Sequence, residues 1–337
     1  MSNLNKTNHP FSVQAAFVNN IFDDQLPADE DIRALFHYQV TQNAVYREWC
    51  DAIGFNPADV QATSDIPFLP ISFFKTHRVV TGEFEPALFF ESSGTTQTQN
   101  STHYIKDIEM YRTSFMKAFA LFYGNVQDWC IIGLLPAYLE RQHSSLVLMV
   151  DELIRQSGHA DSGFYLNEFA QLQSVLQRLE AAGQKVLLIG VTFALLDFAE
   201  AFPMKLRSTV IMETGGMKGR RKELTRKEVH QYLLQGLGVE KVHSEYGMTE
   251  LLSQAYSAGD GRFICPPWMK VMVRDEEDPL RVNTVGKGVL NMIDMANVHS
   301  CAFIATDDVG MVYEDGSFEV WGRLDNSDIR GCSLLVV

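Results

Sequence analysis

What this chain has little of removes several large classes of protein from consideration. Its five cysteines (Cys50, Cys130, Cys265, Cys301 and Cys332) are scattered through 337 residues without a C-x-x-C pair. Neither a zinc site nor a disulfide framework is implied, and reduced thiols in a cytoplasm are expected. No apolar run approaches the roughly 20 residues of a membrane span, and the polar opening MSNLNKTNHP lacks the charged-then-apolar order of a signal peptide. Positive charge is short: 28 Lys+Arg against 42 Asp+Glu leave a formal net charge of −14, which argues against nucleic acid as a partner. The G-x-x-x-x-G-K-[ST] loop is missing, which argues against a standard kinase or GTPase.

Hydrophobic residues at 46% and charged residues at 21% describe an ordinary soluble globule, long enough for one large α/β domain or two smaller ones. Four apolar bursts, ALFFE before Ser92, WCIIGLLP from Trp129, KVLLIGV from Lys185 and STVIMETGG from Ser208, end at Gly, Pro or Ser, as buried parallel strands do. Helical stretches are expected at 107–122, 144–156, 167–182 and 225–236, and a further amphipathic helix with an acidic start over 29–50. Strand alternating with helix predicts an α/β fold with a mostly parallel sheet. The segment IPFLPISFFKTHRVV reads as an extended, partly buried connector. After about residue 260 short strands take over, including a hairpin in MVYEDGSFEVWGR with Asp315-Gly316 as a type I′ turn. The expected division is a helical and connector region over 1–88, an α/β core over 89–260 and a small β-rich part over 261–337.

Chemistry is first signalled by FFESSGTTQTQNST at 89–102. Gly94 permits close backbone approach, and Ser92, Ser93, Thr95 and Thr96 offer hydroxyl and amide donors to phosphate oxygens; such clusters are also common surface turns. In STVIMETGGMKGRRKEL at 208–224, Gly215 and Gly216 let backbone lie against a flat ligand, while Lys218, Arg220 and Arg221 face phosphate or water. HSEYGMTE at 243–250 groups Tyr246, which can stack on a purine, Gly247, Thr249, which can bond a phosphate, and Glu250, which can hold Mg²⁺ beside that phosphate. FIATDDVG and VWGRLDNSDIRGCSLLVV add Asp308 for ribose hydroxyls and Arg323 for ribose or the α-phosphate. Taken singly, each of these residues is more often structural.

In this order, SSGTT, TGG, YGMTE, TDDVG and GRLDNSDIRG resemble the core motifs of the adenylate-forming superfamily of acyl-CoA synthetases, adenylation domains and luciferases. The segments IPFLPISFFKTH, LLPAYLERQHSSLVLMVDELI, METGGMKGRRKEL and SDIRGCSLLVV are most similar to the acyl-protein synthetase family of the LuxE type. The resemblance implies an acyl-CoA synthetase-like fold of mostly parallel sheets flanked by helices, with a small β subdomain and without the mobile C-terminal domain. It implies ATP and Mg²⁺ as cofactors, a carboxylic acid of fatty or related type as substrate, and an acyl-adenylate formed with loss of pyrophosphate. The acyl group then passes to an enzyme cysteine near the C-terminus, matched here by Cys332, and onward to an acceptor protein or reductase. By the same resemblance Ser92 to Thr96 sit on the β- and γ-phosphates, Gly215 and Gly216 beside adenine, Tyr246 against its ring, Thr249 on the α-phosphate, Glu250 on Mg²⁺ and Asp308 on the ribose. Arg323 lies at the hinge edge of the nucleotide.

The sequence departs from the superfamily pattern in two places. Gln97-Thr98-Gln99 stands where a glycine and lysine usually follow the threonines, leaving His103 or Lys106 to compensate. The lysine of the expected missing domain is the second loss. An acyl- or aryl-CoA ligase needing a partner chain, and a relative that binds nucleotide without turning it over, therefore remain as alternatives. Activation itself needs in-line alignment and charge neutralisation but no general base, because the acid is already ionised at neutral pH. Thioester formation needs a thiolate at Cys332, favoured by Arg323 and Arg330; a small apolar filler is the other role for that cysteine. His143 stands where an acid pocket or a helix cap is expected, and Phe193, Met212 and Met248 are expected to line the pocket.

Overall fold

The structure is a computed structural model that describes residues 21–22, 26–92, 99–135, 143–166, 168–215 and 224–324. In chain order its strands are β1 (Leu69–Pro70), β2 (Leu88–Glu91), β3 (Thr102–Ile105), β4 (Cys130–Leu134), β5 (Gly163–Phe164), β6 (Val186–Gly190), β7 (Thr209–Glu213), β8 (Val242–Tyr246), β9 (Ala255–Ser257), β10 (Met269–Arg274), β11 (Val282–Asn283), β12 (Gly286–Asp294), β13 (Phe303–Val312) and β14 (Phe318–Arg323). The α-helices are α1 (Asp29–Gln42), α2 (Ala44–Ala52), α3 (Phe73–Thr76), α4 (Ile108–Tyr123), α5 (Ser145–Ser157), α6 (Phe169–Ala181), α7 (Thr192–Ala201) and α8 (Arg226–Leu237).

One sheet runs β5-β4-β6-β7-β8-β9, parallel except for the antiparallel edge strand β9. Its two central strands β4 and β6 are buried along their whole length, which is why they read as unbroken apolar runs instead of alternating ones. Helices α4, α5 and α8 start where the sequence places their caps: Asp107, Ser144 and Thr225 accept hydrogen bonds from the backbone N–H groups of Glu109, Val147 and Glu228. These bonds satisfy donors that the first helical turn would otherwise leave unpaired.

A second sheet, ordered β1-β13-β12-β10-β11 with β14 on the free part of β13, is antiparallel except for the β1–β13 pair. Here the expected connector at 66–80 supplies both β1 and α3. The N-terminal helices cover this sheet: the Gln39 amide donates to the carbonyls of Asn297 and Val298 and accepts from the Ala302 N–H, and Tyr46 stacks on Phe303. Residues from both ends of the sequence thus share one layer.

Three local expectations differ from what is found. The helix over 29–50 is two helices, because Asn43 leaves the helical region, accepts from the Tyr46 N–H and donates to the Ser300 carbonyl. The ALFFE strand β2 does not enter the parallel sheet but pairs antiparallel with β3 as a two-stranded ribbon. The hairpin between β13 and β14 closes with a Tyr313–Ser317 backbone pair, so its loop has three residues and only Gly316 takes positive φ, at 79°. Asp315 keeps negative φ while its carboxylate accepts from the N–H and hydroxyl of Ser317, a type I turn followed by a left-handed glycine instead of type I′.

Gly310 sits at the irregularity in the β13–β14 register, where an added Cβ would fall 1.9 Å from the Glu319 carbonyl oxygen. Gly310→Ala is therefore expected to force the hairpin apart and to lower the unfolding free energy by roughly 2–4 kcal/mol, read from a urea melt of wild type and variant.

Candidate active site

The carboxyl ends of parallel strands are where open α/β sheets bind ligands, and at this edge β7 ends in a buried carboxylate. Glu213 accepts hydrogen bonds from the Gly215 N–H at 3.0 Å, the Thr192 hydroxyl at 3.1 Å, the Ser244 hydroxyl at 3.0 Å and Arg226 Nε at 3.2 Å, with His230 Nε2 at 3.7 Å. Burial alone would raise its pKa; His230, the Arg226 charge and the Gly215 N–H overcome that and hold it at about 2. Gly215 takes φ +75°, so the turn leaving β7 is shaped by a glycine and pinned by the carboxylate two residues before it. Arg226 also donates to the Val320 carbonyl at 3.0 Å and lies over the Phe263 ring. It thereby ties β14 of the second sheet to the end of β7.

The turn after β8 carries Gly247, Thr249 and Glu250. His103 on β3 is buried, with Nδ1 2.9 Å from the Thr249 carbonyl oxygen; a carbonyl only accepts, so Nδ1 carries the proton. Burial depresses this imidazole to about 4, against the pull of the Thr249 bond. His103 is therefore neutral, and the expectation that it replaces the charge of a missing lysine fails. Lys106 lies over the Phe84 ring. Glu250 is 5% exposed; burial raises its pKa, while a hydrogen bond from Ser101 and the charges of Arg323 and Lys75 oppose the rise. Its carbonyl accepts from Asn297 Nδ2 at 2.8 Å. Ser101 also closes the neck of the serine-threonine loop: its N–H donates to the Ser92 hydroxyl and its carbonyl accepts from the Ser92 N–H.

The third group lies across the two sheets. Asp308 accepts from the Tyr246 hydroxyl at 2.6 Å and from Arg323 Nε at 3.0 Å, and β13–β14 pairing sets Asp308 opposite Arg323. The Tyr246 ring is 8% exposed and packs edge-on against Phe263 and Phe318. Little of its face is left for the purine stacking expected from the sequence, and its hydroxyl is engaged by Asp308.

The structure therefore brings Ser92, Gly215, Tyr246, Gly247, Thr249, Glu250, Asp308 and Arg323 to the neighbourhood of the two sheet ends. Ser93, Gly94, Thr95, Thr96, Gly216 and Cys332, with Lys218, Arg220, Arg221 and Arg330, lie outside the described residues. His143 stacks on Phe89 at 4.1 Å between ring centres, and its carbonyl accepts from the Glu91 N–H. Met212 is buried in the core, whereas Met248 is only partly buried. The sequence alone did not single out Ser101, Glu213 or Arg226; the one local signal was a carboxylate directly ahead of a Thr-Gly-Gly turn.

Magnesium fits Glu250 in kind. Among the described residues no group of three or more His, Cys, Asp and Glu gathers to cage a metal, but Mg²⁺ is commonly held by one or two carboxylates together with substrate phosphates. A buried carboxyl that burial pushes toward neutrality is a site where such a cation restores the charged form.

Comparison with known proteins follows the same direction. The family model described as "Acyl-protein synthetase, LuxE" matches residues 9–337. The long-chain-fatty-acid–luciferin-component ligase of Vibrio harveyi is 21% identical over 327 residues, covering 90% of this chain and 85% of the relative. Its namesake from Aliivibrio fischeri is 24% identical over 336 residues, covering 91% and 86%. A crystal structure of 2-hydroxyisobutyryl-CoA ligase in the postadenylation state shares the fold, with a TM-score of 0.61 at 12% identity over 91% of this chain and 70% of that one.

Because the folded pKa of Glu213 lies below its usual value of 4.5, its stabilising contribution is complete above that value and is lost as pH falls toward 2. Glu213→Gln should lower the unfolding free energy by roughly 2–4 kcal/mol at pH 7. In chemical denaturation the gap between variant and wild type should narrow steadily below pH 4.5.

Proposed function

The chain belongs to the acyl-protein synthetase (LuxE) family of ligases, and we propose that its ATP-dependent activation of a carboxylic acid takes place between the turn after β8 and the strand pair β13–β14. The observation that carries this placement is the convergence of the buried Glu250, itself within the field of Arg323, with the Tyr246–Asp308–Arg323 chain on neighbouring elements.

In this reading the chain's own groups bind and align. Ser92 anchors the serine-threonine loop, and Ser93 to Thr96 hold the β- and γ-phosphates. Gly215 and Gly216 flank adenine on a turn fixed by Glu213. Asp308 takes the ribose hydroxyls, oriented by the Tyr246 hydroxyl, and each of its oxygens keeps a lone pair free for that purpose. Thr249 bonds the α-phosphate, and the His103 bond to its carbonyl fixes the height of that residue in the turn. Arg323 faces the charge that develops as the acid oxygen attacks phosphorus and pyrophosphate departs. Bound at Glu250, Mg²⁺ supplies charge neutralisation on the leaving pyrophosphate. Cys332 is the thiol we assign to the second half-reaction, with a protein acceptor or reductase downstream. The free thiols at Cys50, Cys130, Cys265 and Cys301 agree with a reducing compartment such as the cytoplasm, and among the described residues no helix is long and apolar enough to cross a membrane.

Acid-dependent exchange of labelled pyrophosphate into ATP tests the two halves separately. Glu250→Ala and Asp308→Ala should each lower exchange by about a hundredfold or more. Cys332→Ser should keep exchange and lose acyl label on the protein. Exchange that survives Glu250→Ala undiminished would place the metal elsewhere.

A further inference from the structure

The face of β8 that leads into the Gly247 turn is not the apolar wall expected for a plain fatty chain. Glu245 is half-buried, so solvent reaches it, yet it is crowded enough that burial, with the negative charge of Glu213 second, pushes its carboxyl up to about 8. No hydrogen bond from a described residue offsets that burial. The side chain reaches forward to the turn: a Cβ built on Gly247 would lie 2.4 Å from Glu245 Oε1 and 3.3 Å from Gln254 Cγ.

Gln254 is 4% exposed, and its Oε1 has no hydrogen-bond partner among the described residues. Its amide bonds the Tyr111 hydroxyl, which itself donates to the Ser145 carbonyl at 3.1 Å. Tyr123 and Tyr256 complete the surroundings, near enough for the Glu245 charge to act on both. A buried acceptor without a donor is costly in a finished protein interior. A carboxyl that stays protonated at neutral pH is a donor looking for an acceptor. They stand four and five residues in sequence from Thr249, where the acid must be activated.

On the adenylation reading above, we propose that Glu245, Gln254 and Tyr111 form a polar end to the acyl subsite beside Gly247, which selects a carboxylic acid bearing a hydroxyl on its chain over the unsubstituted acid. A hydroxyl both donates and accepts, so one group answers the Gln254 carbonyl and the Glu245 carboxyl together. A cationic ammonium group supplies donors only and leaves a protonated Glu245 carboxyl without an acceptor.

The test is pyrophosphate exchange by the full chain with acids matched in length, in plain, hydroxy and amino forms, for wild type, Glu245→Gln and Glu245→Leu. Wild type should prefer one hydroxy acid over its plain counterpart by about tenfold or more in kcat/KM. Glu245→Gln should keep most of that preference, and Glu245→Leu should level it while retaining exchange with the plain acid, which also shows that the variant is folded. The proposal is overturned if wild type uses plain acids as well as every hydroxy form, if an amino acid is the preferred substrate, or if the hydroxy preference persists in Glu245→Leu. Absence of exchange with any acid in wild type would instead overturn the adenylation reading, and the subsite with it.

Discussion

An ionised carboxylate buried at the end of a strand costs several kcal/mol unless its surroundings offset it, and Glu213 makes that demand at the carboxyl end of β7. Meeting it fixes the start of α7 through Thr192, the turn after β7 through Gly215, the end of β8 through Ser244 and the first turn of α8 through Arg226. Arg226 passes the constraint on to β14 through the Val320 carbonyl. The elements that carry the site residues are thus set relative to one charge that itself touches no substrate in the proposed mechanism. The arrangement is rigid because each donor already has its place in the backbone of a strand or helix end.

Two glutamates at neighbouring strand ends have opposite fates, and their environments explain why. Glu213 meets donors on every side and stays ionised, with a pKa of about 2. Glu245 meets tyrosine rings and the field of Glu213, and rises to about 8. Pairs of titratable groups driven apart in this way divide labour within a site: here one holds the scaffold and the other remains available.

Legibility from sequence followed the range of the interactions involved. Helix starts at Asp107, Ser144 and Thr225 were readable because the cap and its target are neighbours in the chain. Strands β4 and β6 were readable because full burial leaves an apolar run, and β7 because burial is nearly complete. Helix α7 was not, since Val191 at its N-cap makes no side-chain bond. Nor was β8, whose His243, Ser244 and Glu245 interrupt the apolar pattern, with Ser244 buried and the other two half-buried. The motifs and the segments around them were enough to point to the acyl-protein synthetase family. The partners of those motifs were not legible, because His103 meets Thr249 across 146 positions and Arg226 meets Val320 across 94. The break at Asn43 has the same origin, a bond to the Ser300 carbonyl 257 residues away.

The parallel pairing of Leu69 with Ile304 and of Pro70 with Ala305 has a consequence for how the chain comes into being. A strand from the first quarter of the sequence cannot find its neighbour until the last quarter has left the ribosome. The β4–β8 layer, built from consecutive segments, can assemble during synthesis, while α1 and α2 wait with Phe36 and Tyr46 uncovered for the sheet that will bury them. Such long-range closure is slow and leaves apolar surface exposed meanwhile. The interval between translation of residue 70 and residue 305 is accordingly the period in which the apolar faces of α1 and α2 stand longest without their cover.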